Sequence, residues 1–201
     1  MSRLFASVAT CLMLLAVISC SDDNNSPTGP SGPTHAYPLA MGNWWAYHTE
    51  AWLGGTSPFF EDYDTILIDT TFTRNGLTWF GEKDGEVFYA NDSTGVRQLT
   101  VNTSHPTGAV DMLYRYPASV GERWTVTVDT LTYQVLLTND ARTVAAGTFS
   151  GCYKYQVTDA SNDVWREYMK PGVGMLMIDA LDTLMGVQWG SKVELTAYHI
   201  Q

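Results

Sequence analysis

Beyond its first eighteen residues, the chain has no apolar run approaching the ~20 residues that a permanent membrane-spanning helix needs. Cations are scarce: 11 Lys and Arg stand against 21 Asp and Glu among 201 residues. That balance disfavours nucleic acid and anionic lipid headgroups as partners, because both repel a negative surface. Familiar catalytic signatures are missing too. There is no Gly-x-Ser-x-Gly elbow, no His-Glu-x-x-His, no phosphate-cradling glycine loop followed by Lys, and no Cys-x-x-Cys. No segment sustains the i, i+3, i+4, i+7 spacing of an amphipathic helix either, which excludes a helical bundle.

The beginning of the chain is organised for export. Ser2 and Arg3 precede a mainly apolar run from Leu4 to Ile18, and small Ser19 leads to Cys20. A charged head, apolar middle and small-residue exit make a signal peptide over residues 1–19. The junction Val17-Ile18-Ser19-Cys20 resembles the lipobox of bacterial lipoproteins, in which the cysteine sulfur receives a diacylglyceryl group and the leader is cut just before it. The resemblance implies lipid attachment at Cys20, with each buried acyl methylene contributing ~0.8 kcal/mol to membrane retention.

Residues 20–34 then hold the lipidated cysteine and a stalk of Ser, Asp, Asn, Pro, Gly and Thr with no large apolar side chain, a composition that cannot bury enough surface to order itself. Ser21-Asp22-Asp23 resembles the acidic signals that send some lipoproteins to the outer face of the outer membrane. The expected address is therefore the bacterial cell envelope, at the outer membrane, with the side left open. Removing residues 1–19 takes away one cation and no anion, leaving 10 Lys and Arg against 21 Asp and Glu, a formal charge of −11.

Cysteine is limiting as well. Cys11 leaves with the leader and Cys20 carries lipid, so Cys152 is the one remaining thiol and no internal disulfide can form. It sits in the strand-like run Gly151 to Val157, where a packed thiol is the expected role.

What the remainder does have is period-two alternation rich in Thr, Val, Ile, Tyr and Trp, as in Thr65 to Thr70, Trp124 to Val128, Tyr133 to Leu137 and Lys192 to Tyr198. Turn signals fall between such runs at Asn75-Gly76, Asp84-Gly85 and Ser93-Thr94-Gly95. Residues 35–201 thus read as a single all-β domain, an antiparallel meander of about a dozen strands forming a curved sheet, half-barrel or sandwich.

An internal repeat is also expected. Tyr37-Pro38 to Gly42 and Trp45 match Tyr116-Pro117 to Gly121 and Trp124, and Glu86-Val87-Phe88 leading to Gly95-Val96 and Leu99 parallels Asp163-Val164-Trp165 leading to Gly172-Val173 and Leu176. The halves would span about 37–115 and 116–201. Side chains alternate across a strand, so the shared positions Trp45, Tyr47, Trp124 and Val126 should point inward. Trp44 and His48 then fall on the opposite face or its edge. In the second half the apolar phase changes between Val126 and Leu131, requiring a bulge or turn near Asp129-Thr130.

Three phrases also carry a family resemblance: Tyr37-Pro38-Leu39 with Gly42 to Tyr47, Ala146-Gly147-Thr148-Phe149 leading to Cys152, and Lys170-Pro171-Gly172-Val173-Gly174. Together they resemble a loose group of uncharacterised bacterial envelope lipoproteins with a "PLxxGNxWxY" opening, an "AGTFxxC" strand and a "PGVG" turn. The resemblance implies a β-rich envelope domain and supplies no catalytic residue.

Candidate sites are correspondingly few. Trp44, His48 and Trp52 form a candidate binding surface, since rigid aromatic faces suit sugars or protein contacts. No catalytic residue, metal ligand or cofactor is assigned. Acidic clusters at Glu61 to Asp64, Asp159 to Asp163 and Asp179 with Asp182 read as solvated turns rather than calcium loops. The leading expectation is a non-enzymatic binding or structural module, with the membrane, through its lipid, and an envelope protein or glycan as partners. A carrier of a lipid or other apolar ligand is the first alternative, and a hydrolase with a site assembled only in the fold is the second.

Overall fold

The computed structural model describes residues 35–54, 57–184 and 187–201, so the leader, Cys20 and the stalk to residue 34 lie outside the described residues. Within them the alternating runs form thirteen strands and no helix. The first seven are β1 (Trp44–Leu53), β2 (Phe60–Leu67), β3 (Thr70–Arg74), β4 (Leu77–Gly81), β5 (Val87–Asp92), β6 (Gly95–Thr100) and β7 (Ala109–Arg115). The second half gives β8 (Arg123–Val126), β9 (Leu131–Val144), β10 (Gly147–Thr158), β11 (Val164–Lys170), β12 (Gly174–Leu184) and β13 (Val187–His199).

The turn residues work as their chemistry requires. Asn75 and Gly76 both adopt positive φ, 51° and 77°, and close β3 onto β4 with a two-residue loop, as an Asn-Gly pair favours. Between β5 and β6 the Asp92 carboxylate accepts from the Thr94 and Gly95 amides and the Thr94 hydroxyl. Gly95 itself has φ +143°, and a Cβ there would lie 1.9 Å from the Tyr114 carbonyl oxygen, so only glycine fits. The phase change of the second half is a turn: β8 pairs with β9 from Val126 opposite Leu131, and Thr130 takes φ +53° between them.

All strand pairings are antiparallel, and they make two open sheets that do not close into a barrel. The large sheet has the order β2-β1-β13-β12-β11-β10-β9-β8, and the small one β3-β4-β5-β6-β7. The two expected halves do not each make a sheet, because β1 and β2 join the strands of the second half. Their openings do share a local pattern. Gly42 N–H donates to Ile68 O (2.7 Å) and Ile68 N–H to Asn43 O (2.9 Å); Gly121 N–H donates to Val135 O (2.8 Å) and Val135 N–H to Glu122 O (2.9 Å).

Trp45, Tyr47, Trp124 and Val126 are buried, as their strand phase predicts. Trp124, Val126, Tyr133, Val135, Tyr155 and Val157 of the large sheet pack against Val96 and Tyr114 of the small one. Hydrogen bonds fasten the same interface: Trp124 Nε1 donates to Met112 O (2.9 Å) and the Tyr155 hydroxyl to Arg115 O (3.2 Å). The Asp111 carboxylate on β7 receives the amides of Thr127 and Val128 and the Thr127 hydroxyl from the turn after β8. A second cluster joins Trp45, Tyr47 and Ile68 to Cys152, Tyr168, Leu176 and Leu195, and burial raises the Cys152 thiol pKa.

The large sheet has two dissimilar edges. At one, β8 has only four residues; at the other, β2 is eight residues long and exposes Glu61, Asp62, Tyr63 and Asp64.

Candidate ligand-binding cleft

Because the small sheet has five strands and the large one eight, part of the large sheet's inner face has no cover. Register shows which residues share that face, since directly opposed side chains project together. Glu167 on β11 lies opposite Ile178 on β12, which lies opposite Val193 on β13. One step outward, Ala180, Ser191 and Ala51 stand opposite one another on β12, β13 and β1, and Leu53 is opposite Trp189. Three small side chains in a row leave a trough, with Trp165 and Trp189 among the residues that line it.

Two cavities follow this face, and a third adjoins them at the outer end of the sheet. The innermost, about 250 Å³, lies between the sheets and is lined by Tyr47, Tyr89, Gln98, Tyr114, Tyr133 and Glu167 with several aliphatic neighbours. The middle one, about 400 Å³, has no small-sheet residue in its lining and is bounded by Trp165, Trp189, Ala180, Ser191, Asp159 and Asp163. Glu167 and Ile178 line both. The outermost, about 350 Å³, is formed by Ala51, Trp52, Leu53, Phe59, Trp189, Gly190 and Ser191, so it shares Trp189 and Ser191 with the middle cavity. The result is a stepped cleft, enclosed at one end and ending beside Leu53 and Phe59, which are 64% and 72% exposed.

Polar groups concentrate at the enclosed end. Glu167 Oε2 accepts the Tyr114 hydroxyl at 2.5 Å, and Oε1 accepts Trp165 Nε1 at 2.9 Å. The Tyr133 hydroxyl divides itself between the two oxygens at 3.3 and 3.4 Å. Tyr114 belongs to the small sheet, so this carboxyl also ties the sheets together. Burial pushes the Glu167 pKa up, and the Tyr114, Trp165 and Tyr133 donors offset part of that rise. Burial likewise raises the surrounding phenols, Tyr89 to about 12 and Tyr37, Tyr114 and Tyr133 well above their ordinary value, keeping them neutral.

The sequence-level candidates lie elsewhere. Trp44 is half-buried and stacks on His199, with ring centroids 6.4 Å apart. The His48 side chain is 13% exposed, stacks on Tyr63 at 4.4 Å, and has Glu50 and Glu61 within 3.8 and 3.9 Å. Alternation places both on the face opposite Tyr47, away from the cleft. Neighbouring strands cover what an isolated strand would expose. Trp52 is half-buried and lines the outermost cavity, its ring lying so close to Gly190 that a Cβ there would meet it at 2.7 Å. The three do not come together as one surface.

Glu167 escaped the reading of the sequence, although a signal was present. In Trp165-Arg166-Glu167-Tyr168-Met169 the carboxyl occupies the same alternation phase as Trp165 and Met169, a charged residue on an apolar face. Among the described residues no three His, Cys, Asp or Glu side chains converge as metal ligands.

No protein-family model matches the chain, and comparison with curated proteins gives no match. Two crystal structures are similar. One is a "putative exported protein with YmcC-like fold" from Bacteroides fragilis, with 9% identity over 84% of this chain and 99% of that one, at a TM-score of 0.38. The other is a "putative lipoprotein" from Parabacteroides distasonis, with 13% identity over 83% of this chain and 99% of that one, at a TM-score of 0.41. Likenesses this slight carry no argument about chemistry.

Proposed function

We propose that the chain is a bacterial cell-envelope lipoprotein, lipidated at Cys20, whose β domain carries an elongated, largely apolar ligand in the stepped cleft. The observation that carries this reading is the succession of three cavities from between the sheets to the outer end of the large sheet, each sharing two lining residues with the next. Ligand sites of this kind are concave, mostly apolar and punctuated by a few polar groups, which describes a cleft with Glu167 and tyrosine hydroxyls at one end and Trp189, Leu53 and Phe59 at the other. Each methylene seated there contributes ~0.8 kcal/mol. The carrier takes precedence over a contact surface at Trp44, His48 and Trp52, because those side chains are half-buried and dispersed. The envelope address rests on the residues around Cys20 and the stalk that follows it.

Two measurements test the reading. The full chain, purified from a bacterial host and examined by native mass spectrometry and solvent extraction, should carry an apolar molecule that Ser191→Leu, which fills the trough, excludes. A protein that captures no apolar probe, with the same result for the filled variant, would refute the carrier. Separately, Cys20→Ser should abolish radiolabelled palmitate incorporation and release the chain from membranes.

A further inference from the structure

The enclosed end of the cleft has an electrostatic imbalance. Glu167 is buried, yet none of the ion pairs among the described residues includes it. Three neutral donors satisfy it in part. A carboxylate offers about four acceptor positions, and here three donors meet it: one phenol, one indole and one long phenol contact shared between its oxygens. Buried charges are ordinarily paired with an opposite charge, and no ion pair among the described residues supplies one.

The cleft walls reinforce the imbalance. The residues described as lining the three cavities include no Lys, Arg or His, while Asp159, Asp163 and Glu167 are all present. An anionic headgroup would meet three carboxylates and no counter-charge. A cation would meet the reverse.

The surfaces around Glu167 suit a cation in a second way. Tyr37, Trp45, Tyr47, Tyr89, Tyr114 and Tyr133 line the innermost cavity. Aromatic faces within ~6 Å attract ammonium groups, most strongly where water is displaced. The Tyr89 hydroxyl has no protein partner among the described residues and is free to meet a ligand.

We propose that the enclosed end is an aromatic cage for an ammonium head group, with Glu167 as its counter-ion, and that the ligand's apolar remainder runs outward over Ala180 and Ser191 toward Leu53 and Phe59. This rests on the carrier reading for the apolar remainder. The cage itself rests on Glu167 and the tyrosines alone.

The test compares probes of one chain length: dodecyltrimethylammonium, dodecanol and dodecanoate, titrated below micelle formation into the full chain at high ionic strength, where non-specific attraction to an acidic protein is screened. The ammonium probe should bind at least tenfold more tightly than the alcohol, and the carboxylate most weakly. Glu167→Gln should remove that preference while leaving dodecanol affinity within about threefold. Tyr89→Leu, which removes an aromatic face without touching the donors to Glu167, should weaken the ammonium probe alone and serves if the first variant does not fold. Alcohol binding as tight as ammonium, or a folded Glu167→Gln chain that keeps the preference, overturns the cage and leaves the carrier standing. Tetramethylammonium binding with no response to any twelve-carbon probe supports the cage and overturns the carrier. Silence from all four probes overturns both.

Discussion

The same face of the large sheet is used in two ways. Where β6 and β7 cover it, Trp124, Tyr133 and Tyr155 of β8, β9 and β10 are buried, and Trp124 Nε1 and the Tyr155 hydroxyl find partners across the interface; where the small sheet stops, Trp165, Ala180, Trp189 and Ser191 of β11, β12 and β13 remain partly open. Composition does not separate the regions, since both contain aromatics and carboxylates. Cover does, and it turns one stretch into core and the next into a trough.

The comparison breaks most visibly under truncation. Trp124→Ala at the covered end should cost about 3–5 kcal/mol of unfolding free energy, whereas Trp189→Ala at the open end should cost about 1 kcal/mol or less; urea denaturation checks both. Equal losses would mean that the trough is core. Gly95→Ala should follow, at about 2 kcal/mol or more, because its Cβ meets the Tyr114 carbonyl in a backbone region that L-residues rarely adopt. Tyr114→Phe, which removes the short bond from the small sheet to Glu167, should cost about 1.5–3 kcal/mol.

Titration sharpens the contrast. Glu167 has a pKa raised above its ordinary 4.5, so its contribution to stability is complete below that value and is lost as pH rises through the raised one. Asp111 runs the other way. Burial pushes its pKa up, but the Thr127 and Val128 donors bring it below 3.8 on balance, so its contribution is present above 3.8 and is lost as pH falls through the lowered value. Stability curves should therefore flatten on the higher-pH side in Glu167→Gln and on the acid side in Asp111→Asn. The smallest expected effect is Ser191→Leu, within about 0.5 kcal/mol in stability, although it should close the trough to ligand.

Much of the local structure was legible. The Asn75-Gly76 turn, the inward phase of Trp45 and Tyr47, and the reset before Leu131 follow from backbone sterics and alternation, which act within a few residues. The division of the first half between two sheets was not legible, because nothing near Trp44 announces that β1 will pair with β13, some 150 residues later. The cleft was hidden for the same reason: Ala51, Ala180 and Ser191 are unremarkable until register sets them side by side. Trp44 and His48 were assigned to the correct phase, but sequence could not show His199 and Tyr63 arriving over them.

The exposed strand β2 has one more consequence. An eight-residue edge strand is a template onto which another copy could zip, but here the amides of Tyr63, Thr65 and Leu67 are already taken by the Asp62, Asp64 and Glu82 carboxylates. Glu61 projects from one side of this edge and Asp62 and Asp64 from the other, so two copies approaching strand to strand would bring carboxylates together on both faces. Strand-to-strand pairing of two copies at this edge is therefore disfavoured.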